Sequence, residues 1–137
     1  NYTVMSDAVN VASRLEGANK YFSTSVMASE MTVALTGTTF SWRELDAIRV
    51  KGRADPVKIY EPLAEAGHET SEQSRVAAAY AEGLACWRRR EFDRARQCFD
   101  RVADVDPPSA SFGRRAREFS DKPPPSDWVP VNILEGK

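Results

Sequence analysis

The chain has 137 residues, and its 19 Lys and Arg against 20 Asp and Glu give a formal net charge of −1. This length holds one ordinary domain or two small units, and the balanced charge argues against a nucleic-acid partner or an anionic membrane surface. One histidine and two cysteines argue against a Cys/His metal cluster and a disulfide scaffold, and no apolar run approaches the ~18 residues of a membrane span.

The first predicted element is a helix that ends near Tyr21, after a short extended entry and a cap at Ser6 or Asp7. Asn10 and Arg14 are four residues apart and share a face near the N-terminus, where free N–H groups and the helix dipole favour an anion. They lie beside one apolar stripe of four residues, Val11, Leu15, Ala18 and Phe22. An amide beside a guanidinium suits a phosphate-bearing ligand, and an exposed polar pair on an amphipathic helix is the alternative.

A short strand and a short helix are predicted next. Residues 24–29 contain the β-branched side chains typical of a strand. Ser29 resembles the N-cap of a helix over residues 30–35, and Thr36-Gly37 would end that helix.

A β-hairpin is predicted after the short helix. Apolar and polar side chains roughly alternate over residues 40–50, with an irregularity near Asp46. Residues 51–56 form a turn, and residues 57–63 form the returning strand. Helix, strand, short helix and hairpin together indicate half of an α/β or α+β sandwich.

An Ala- and Arg-rich helical region follows the polar connector 64–70, with helices predicted over residues 71–90, 92–105 and 109–119. Five of its residues fall at the spacings of a tetratricopeptide repeat: Gly83, Phe92, Ala95, Phe99 and Pro107. In that repeat a small residue lets two antiparallel helices approach, aromatic side chains fill the gap, and Pro ends the second helix. A helical extension that covers the preceding domain is the alternative.

The end of the chain is predicted to be a stiff, extended linker around Pro123–Pro125 and a short apolar tail. The tail contains Trp128, Val131, Ile133 and Leu134, and the pattern leaves open whether it docks onto the helices. Arginines cluster at residues 88–90 and 114–117, but interleaved acidic residues favour a solvated helix face over a nucleic-acid surface.

Several stretches resemble the catalytic domain of the class III adenylate and guanylate cyclases. They are YTVMSDAVNVASRLEG over residues 2–17, FSWRELD over 40–46, IRVKG over 48–52 and PVKIYE over 56–61. Their order and spacing match the C-terminal half of that domain.

The resemblance implies a partial ferredoxin-like α/β sandwich. With the predicted helices, the expected fold class is α+β: this sandwich followed by an α-helical hairpin or repeat extension. The expected division is a cyclase part over residues 1–66, a tetratricopeptide-like part over 71–121, and a Pro-rich linker with an apolar tail over 122–137. Ser6 and Ser23 stand where the family usually has glycine. If either backbone requires a positive φ, serine costs about 1 kcal/mol there.

The resemblance also implies the chemistry. The ribose 3′-oxygen of ATP attacks the α-phosphate, pyrophosphate leaves, and 3′,5′-cyclic AMP forms. By position, Asn10 orients the ribose, and Arg14 meets the charge that builds on the α-phosphate. Lys51 binds the terminal phosphates. Thr3 meets the purine edge, where a hydroxyl favours adenine over guanine.

The family requires two Mg²⁺ or Mn²⁺ ions and a second catalytic domain, which implies a head-to-tail homodimer here. Its two metal-binding aspartates and its adenine-reading lysine lie upstream of Asn1, so the isolated chain is expected to make no cyclic nucleotide. The expected location is the cytoplasm, and an upstream membrane anchor in the parent protein stays open.

Two other functions stay open. One is a catalytically inactive cyclase-like domain that senses nucleotides or serves as a dimer partner. The other is a helical-repeat module in which residues 71–121 bind a protein partner.

Overall fold

The computed structural model describes residues 28–50 and 55–134. The chain divides into two compact units, one formed by residues up to Gly67 with Val131–Lys137 and one formed by His68–Pro130. We call them the sheet unit and the helical unit. Within the described residues there are one four-stranded sheet and four helices. This mixed α+β architecture confirms the expected fold class, whereas the predicted domain bounds stay predictions.

The sheet unit contains one helix and four strands among its described residues. They are β1 (Ala28–Ser29), α1 (Glu30–Thr36), β2 (Phe40–Val50), β3 (Val57–Glu65) and, at the end of the chain, β4 (Asn132–Leu134). The strand order is β1-β3-β2-β4. The pairs β1–β3 and β2–β3 are antiparallel, and β4 lies parallel to β2.

Helix α1 begins where the sequence predicts and ends one residue later than predicted, at Thr36. The Ser29 hydroxyl accepts a hydrogen bond from the Thr32 amide at 3.3 Å, which caps the first turn. Gly37 follows the helix with φ 59° and donates its N–H to the carbonyl of Ala34 at 3.3 Å. This left-handed conformation is the one that glycine adopts most easily. The predicted first helix, residues 24–27 of the first predicted strand, and residues 51–54 of the hairpin turn lie outside the described residues.

The predicted irregularity near Asp46 is confirmed as a β-bulge. Glu44 pairs with Tyr60 and Asp46 with Ile59, so Leu45 is an extra residue on β2. Consecutive side chains of a regular strand point to opposite faces. The bulge breaks this alternation and allows Leu45 (0% exposed) and Asp46 (1% exposed) both to be buried.

The helical unit consists of α2 (Ser71–Arg88), α3 (Phe92–Asp100) and α4 (Pro107–Asp121). Thr70 and Gln73 form a capping box at the start of α2, since each side chain accepts from the other residue's amide. The Asp106 carboxylate caps α4 by accepting from the amide of Ser109 at 3.2 Å and from its hydroxyl at 2.6 Å.

The prediction of a helix over residues 92–105 was too long, because α3 ends at Asp100. Residues 101–105 are turns, in which Val102 and Val105 each donate to a carbonyl three residues earlier. Pro107 begins α4 instead of ending α3. Its missing N–H costs no bond in a first helical turn, so this position suits proline. The tetratricopeptide assignment stays a prediction.

Aromatic rings form the core of the helical unit. Tyr80, Trp87, Phe99 and Phe112 are almost fully buried. Phe99 and Phe112 stack with centroids 4.9 Å apart, and Tyr80 meets both rings edge-on. In the part of the chain that the structure describes, no helix has both the length and the apolar character needed to cross a membrane.

Candidate functional site

The four predicted site residues all lie outside the described residues. Thr3, Asn10 and Arg14 precede Ala28, and Lys51 lies in residues 51–54, which the structure does not describe. Their roles therefore stay predictions. What the structure does describe is the hairpin that carries Lys51.

The hairpin is paired on both sides of β2 up to the residues that precede Lys51. On one side, Ile48 pairs with Val57, which is the register position nearest the turn. On the other side, Arg49 and Val50 pair with Ile133 and Leu134 of β4. The end of β2 is thus paired with β3 at Ile48 and with β4 over residues 48–50.

Two further basic residues lie on one face of this end of the hairpin. Lys58 is the register partner of Ala47, so both project from the same face, and Arg49 shares that face because it is two residues from Ala47. Lys58 is exposed and Arg49 is half-buried. Together they place positive charge beside the turn, which suits an anionic ligand.

Arg49 and Lys58 are not among the site residues predicted from the sequence. Strand alternation carries the signal that could have found them, since Arg49 and Lys58 occupy polar positions between apolar ones. The opposite face is apolar near the turn, with Ile48 and Ile59 fully buried.

A third basic residue of the hairpin strands, Arg43, is paired with a carboxylate. Its Nε and Nη2 atoms lie 2.9 and 2.8 Å from Oε1 of Glu61, its register partner on β3. The two side chains are 6% and 24% exposed. Removing either partner of such a pair would leave a buried charge uncompensated, so Arg43 is a poor site for a phosphate.

The described residues also restrict other kinds of chemistry. Among residues 28–50 and 55–134, no group of three or more His, Cys, Asp or Glu side chains is placed to hold a metal ion. Cys86 and Cys98 are free and buried. Burial and the nearby Glu82 carboxylate raise the pKa of the Cys98 thiol, which keeps it protonated at neutral pH and makes it a poor nucleophile.

Comparison with known proteins finds three relatives, each named as an adenylate cyclase. Adenylate cyclase 1 of Rhizobium meliloti (strain 1021) is 50% identical over 60 residues, or 44% of this chain. The adenylate cyclase of Anabaena cylindrica is 40% identical over 62 residues, or 43% of the chain. The terminal-differentiation specific adenylate cyclase of Dictyostelium discoideum is 28% identical over 109 residues, or 77% of the chain.

These matches support a relationship between this chain and adenylate cyclases. The chain spans 9%, 12% and 5% of the three relatives, in the same order. The third match covers 77% of the chain, more than residues 1–66 can supply, and so includes part of the region after residue 66. No protein-family model matches the chain. No solved structure matches it either.

Proposed function

We propose that this chain is the C-terminal part of an adenylate cyclase catalytic domain with a helical extension, from a protein that converts ATP to 3′,5′-cyclic AMP and pyrophosphate. The observation that carries the proposal is the similarity to three proteins named adenylate cyclase. The paired hairpin that leads into Lys51 supports it, because it supplies the fixed strand ends that a phosphate-binding lysine needs.

The side chains of this segment position the nucleotide and stabilise charge. Asn10 orients the ribose and Thr3 accepts from the adenine amino group. Lys51 binds the terminal phosphates as a mobile point charge, with Arg49 and Lys58 adding to the local positive potential. Arg14 meets the charge that builds on the α-phosphate, where its planar fork of donors suits the phosphoryl oxygens. Most catalysis of phosphoryl transfer consists of such positioning and charge stabilisation.

The proposed reaction also needs metal ions, which residues outside this chain would bind. Residues 28–50 and 55–134 hold no group of three or more His, Cys, Asp or Glu side chains placed for a metal ion. By the resemblance, two Mg²⁺ or Mn²⁺ ions would be bound by two aspartates elsewhere in the parent protein. When bound, such ions neutralise phosphate charge. The second half of each active site would come from a second copy paired head to tail, and the proposed location is the cytoplasm.

The proposal is tested by Arg14→Ala in the parent protein. By analogy with the removal of an oxyanion-hole donor, we expect kcat to fall roughly 10²–10³-fold, or about 3–4 kcal/mol. Arg94→Ala is the matched control, because Arg94 is exposed on the helical unit with 70% of its side chain accessible. An equal kcat for the Arg14→Ala variant and the parent would contradict the role of Arg14.

An activity assay of the purified parent protein distinguishes the proposed enzyme from the catalytically inactive alternative. Under the proposal, the purified parent with ATP and Mn²⁺ forms cyclic AMP. Nucleotide binding without turnover would instead indicate a nucleotide-sensing domain of the same fold.

A further inference from the structure

The helical unit carries a groove lined by Trp87, Phe92 and Phe119, which we call the aromatic groove. The Trp128 ring lies in it, with its centroid 5.6 Å from each of the three other centroids. The three interplanar angles are between 71° and 85°. These are edge-to-face contacts, which the charge distribution of aromatic rings favours.

One arginine fixes the chain that leads to Trp128. The two terminal nitrogens of Arg90 donate to consecutive carbonyls, Nη2 to Pro124 at 2.8 Å and Nη1 to Pro125 at 3.1 Å. The same guanidinium lies 5.5 Å from the centroid of Trp128 and 5.8 Å from that of Phe92. The Pro124 carbonyl lies in an extended segment, whose carbonyls have lone pairs open to outside donors. The Pro125 carbonyl also accepts the Trp128 amide at 3.0 Å. The two terminal nitrogens of one guanidinium can therefore bind both carbonyls at once.

The backbone of Arg90 adopts the left-handed conformation, with φ 64°. Among the described residues it is the one non-glycine residue with positive φ. It follows the end of α2, where glycine is the usual residue and would be unstrained. Glycine at position 90 would relieve the strain but would remove the guanidinium. The strained residue is therefore the one that donates to both prolyl carbonyls. Strain of this kind is typical of ligand clamps.

The occupant of the groove has the character of a bound peptide. Pro125, Ser126 and Asp127 are exposed, and Trp128 is half-buried. The segment presents two carbonyls to Arg90 and one ring to the groove, with a turn closed by the Trp128 amide and the Pro125 carbonyl at 3.0 Å. Proline-rich segments dock to aromatic grooves at low entropic cost because they are already extended in solution.

We propose that the aromatic groove is a recognition site for an extended prolyl segment followed by a tryptophan. Residues 124–128 are its resident occupant, and a protein partner carrying a segment of the same chemistry displaces them. The helical unit is then a docking module that its own tail keeps closed. This inference is independent of the cyclase proposal, since it uses residues of the helical unit alone.

The test uses the full 137-residue chain and a fluorescent synthetic peptide of residues 122–131, KPPPSDWVPV. In the unsubstituted chain the tethered tail competes at a high effective concentration, so the free peptide binds weakly. Trp128→Ala empties the groove, and we expect the peptide to bind this variant roughly tenfold more tightly or better, as measured by fluorescence anisotropy.

Two controls define the contacts. A peptide with Ala in place of Trp should lose the gain, and Arg90→Ala added to Trp128→Ala should weaken binding of the original peptide roughly tenfold. A Trp128→Ala chain that keeps its helical circular dichroism and binds no more tightly than the unsubstituted chain would overturn the proposal.

Hydrogen exchange of the unsubstituted chain gives a second measurement that does not depend on a variant. Saturating peptide should accelerate exchange at the Trp128 amide, which loses its hydrogen bond to the Pro125 carbonyl when the tail leaves the groove. Unchanged exchange at saturation would show that the tail is a permanent part of the unit and would refute its displacement.

Discussion

At the scale of single residues, two glycines of the helical unit show how contact geometry decides the effect of one methyl group. A Cβ atom on Gly83 would lie 2.8 Å from Cε1 of Phe99, a fully buried ring. A Cβ atom on Gly113 would lie 2.7 Å from Oδ1 of Asp100, the end of a side chain that is 37% exposed. The ring cannot move in a packed core, whereas the carboxylate can.

We therefore expect opposite results from the two alanine substitutions. Gly83→Ala gains about 1 kcal/mol of helix propensity but loses more by overpacking, for a net loss of about 1–2 kcal/mol in the free energy of unfolding. Gly113→Ala should be neutral or slightly stabilising, because Asp100 moves aside. Urea denaturation followed by circular dichroism measures both. A Gly83→Ala chain as stable as the Gly113→Ala chain would show that α2 and α3 separate easily.

The raised pKa of Cys98 gives a prediction about pH. Burial disfavours the thiolate in the folded chain, so the folded state holds the proton to higher pH than the unfolded state does. The resulting stability is fully present below the ordinary thiol pKa and decreases as the pH rises through the raised value. Alkylation of Cys98 by iodoacetamide should accordingly be slower than that of an unfolded thiol from neutral pH to mildly alkaline pH. Mass spectrometry of the native and urea-unfolded chain measures the difference, and equal rates would contradict the burial of this thiol.

At the scale of elements, the local sequence predicts where helices begin and end better than it predicts which strands pair. Ser29 and Gly37 mark the ends of α1 because capping and positive φ depend on near neighbours. The irregularity at the bulge was predictable because the apolar residues of β2 change phase between Trp42 and Leu45, which are three residues apart. The pairing of β4 with β2 was not predictable. A strand of three residues is too short to show a periodic pattern, and its register depends on residues that are distant in the chain.

The β4 pairing is tested by Ile133→Pro. Ile133 is the partner of Arg49, and proline removes an N–H from the strand. We expect hydrogen exchange over residues 48–50 to become roughly tenfold faster, which corresponds to the loss of about one hydrogen bond. Ile133→Thr is the matched control, because the side chain is 54% exposed and threonine keeps both the N–H and the β-branched shape. Equal exchange rates in the two variants would refute the pairing.

At the scale of the whole molecule, the fold class and the family relationship were readable from the sequence, whereas the site was only partly so. Alternation, caps and turn residues predict the α+β class, and residues 2–17 and 40–61 carry the cyclase-like motifs. Strand alternation marks Arg49 and Lys58 as polar positions, but the strand register was needed to place them on one face. The hydrogen bond from Arg90 to the Pro124 carbonyl could not be predicted from the sequence, because the two residues are 34 positions apart in the chain.

The proposed head-to-tail dimer predicts that two different inactive protomers of the parent protein can restore activity to each other. If one protomer supplies Arg14 and Lys51 to a given active site and its partner supplies the metal-binding carboxylates, each site needs one intact copy of each face. Mixing an Arg14→Ala protomer with a protomer that lacks a metal-binding carboxylate should then restore one site per heterodimer. With random pairing, roughly a quarter of the parental activity returns.

Mixing Arg14→Ala with Lys51→Ala protomers should restore none, because both defects fall on the same face and every site then contains one of them. Cyclic AMP formation after co-expression measures both mixtures, and recovery in the Arg14 and Lys51 mixture would contradict the assignment of these two residues to one face.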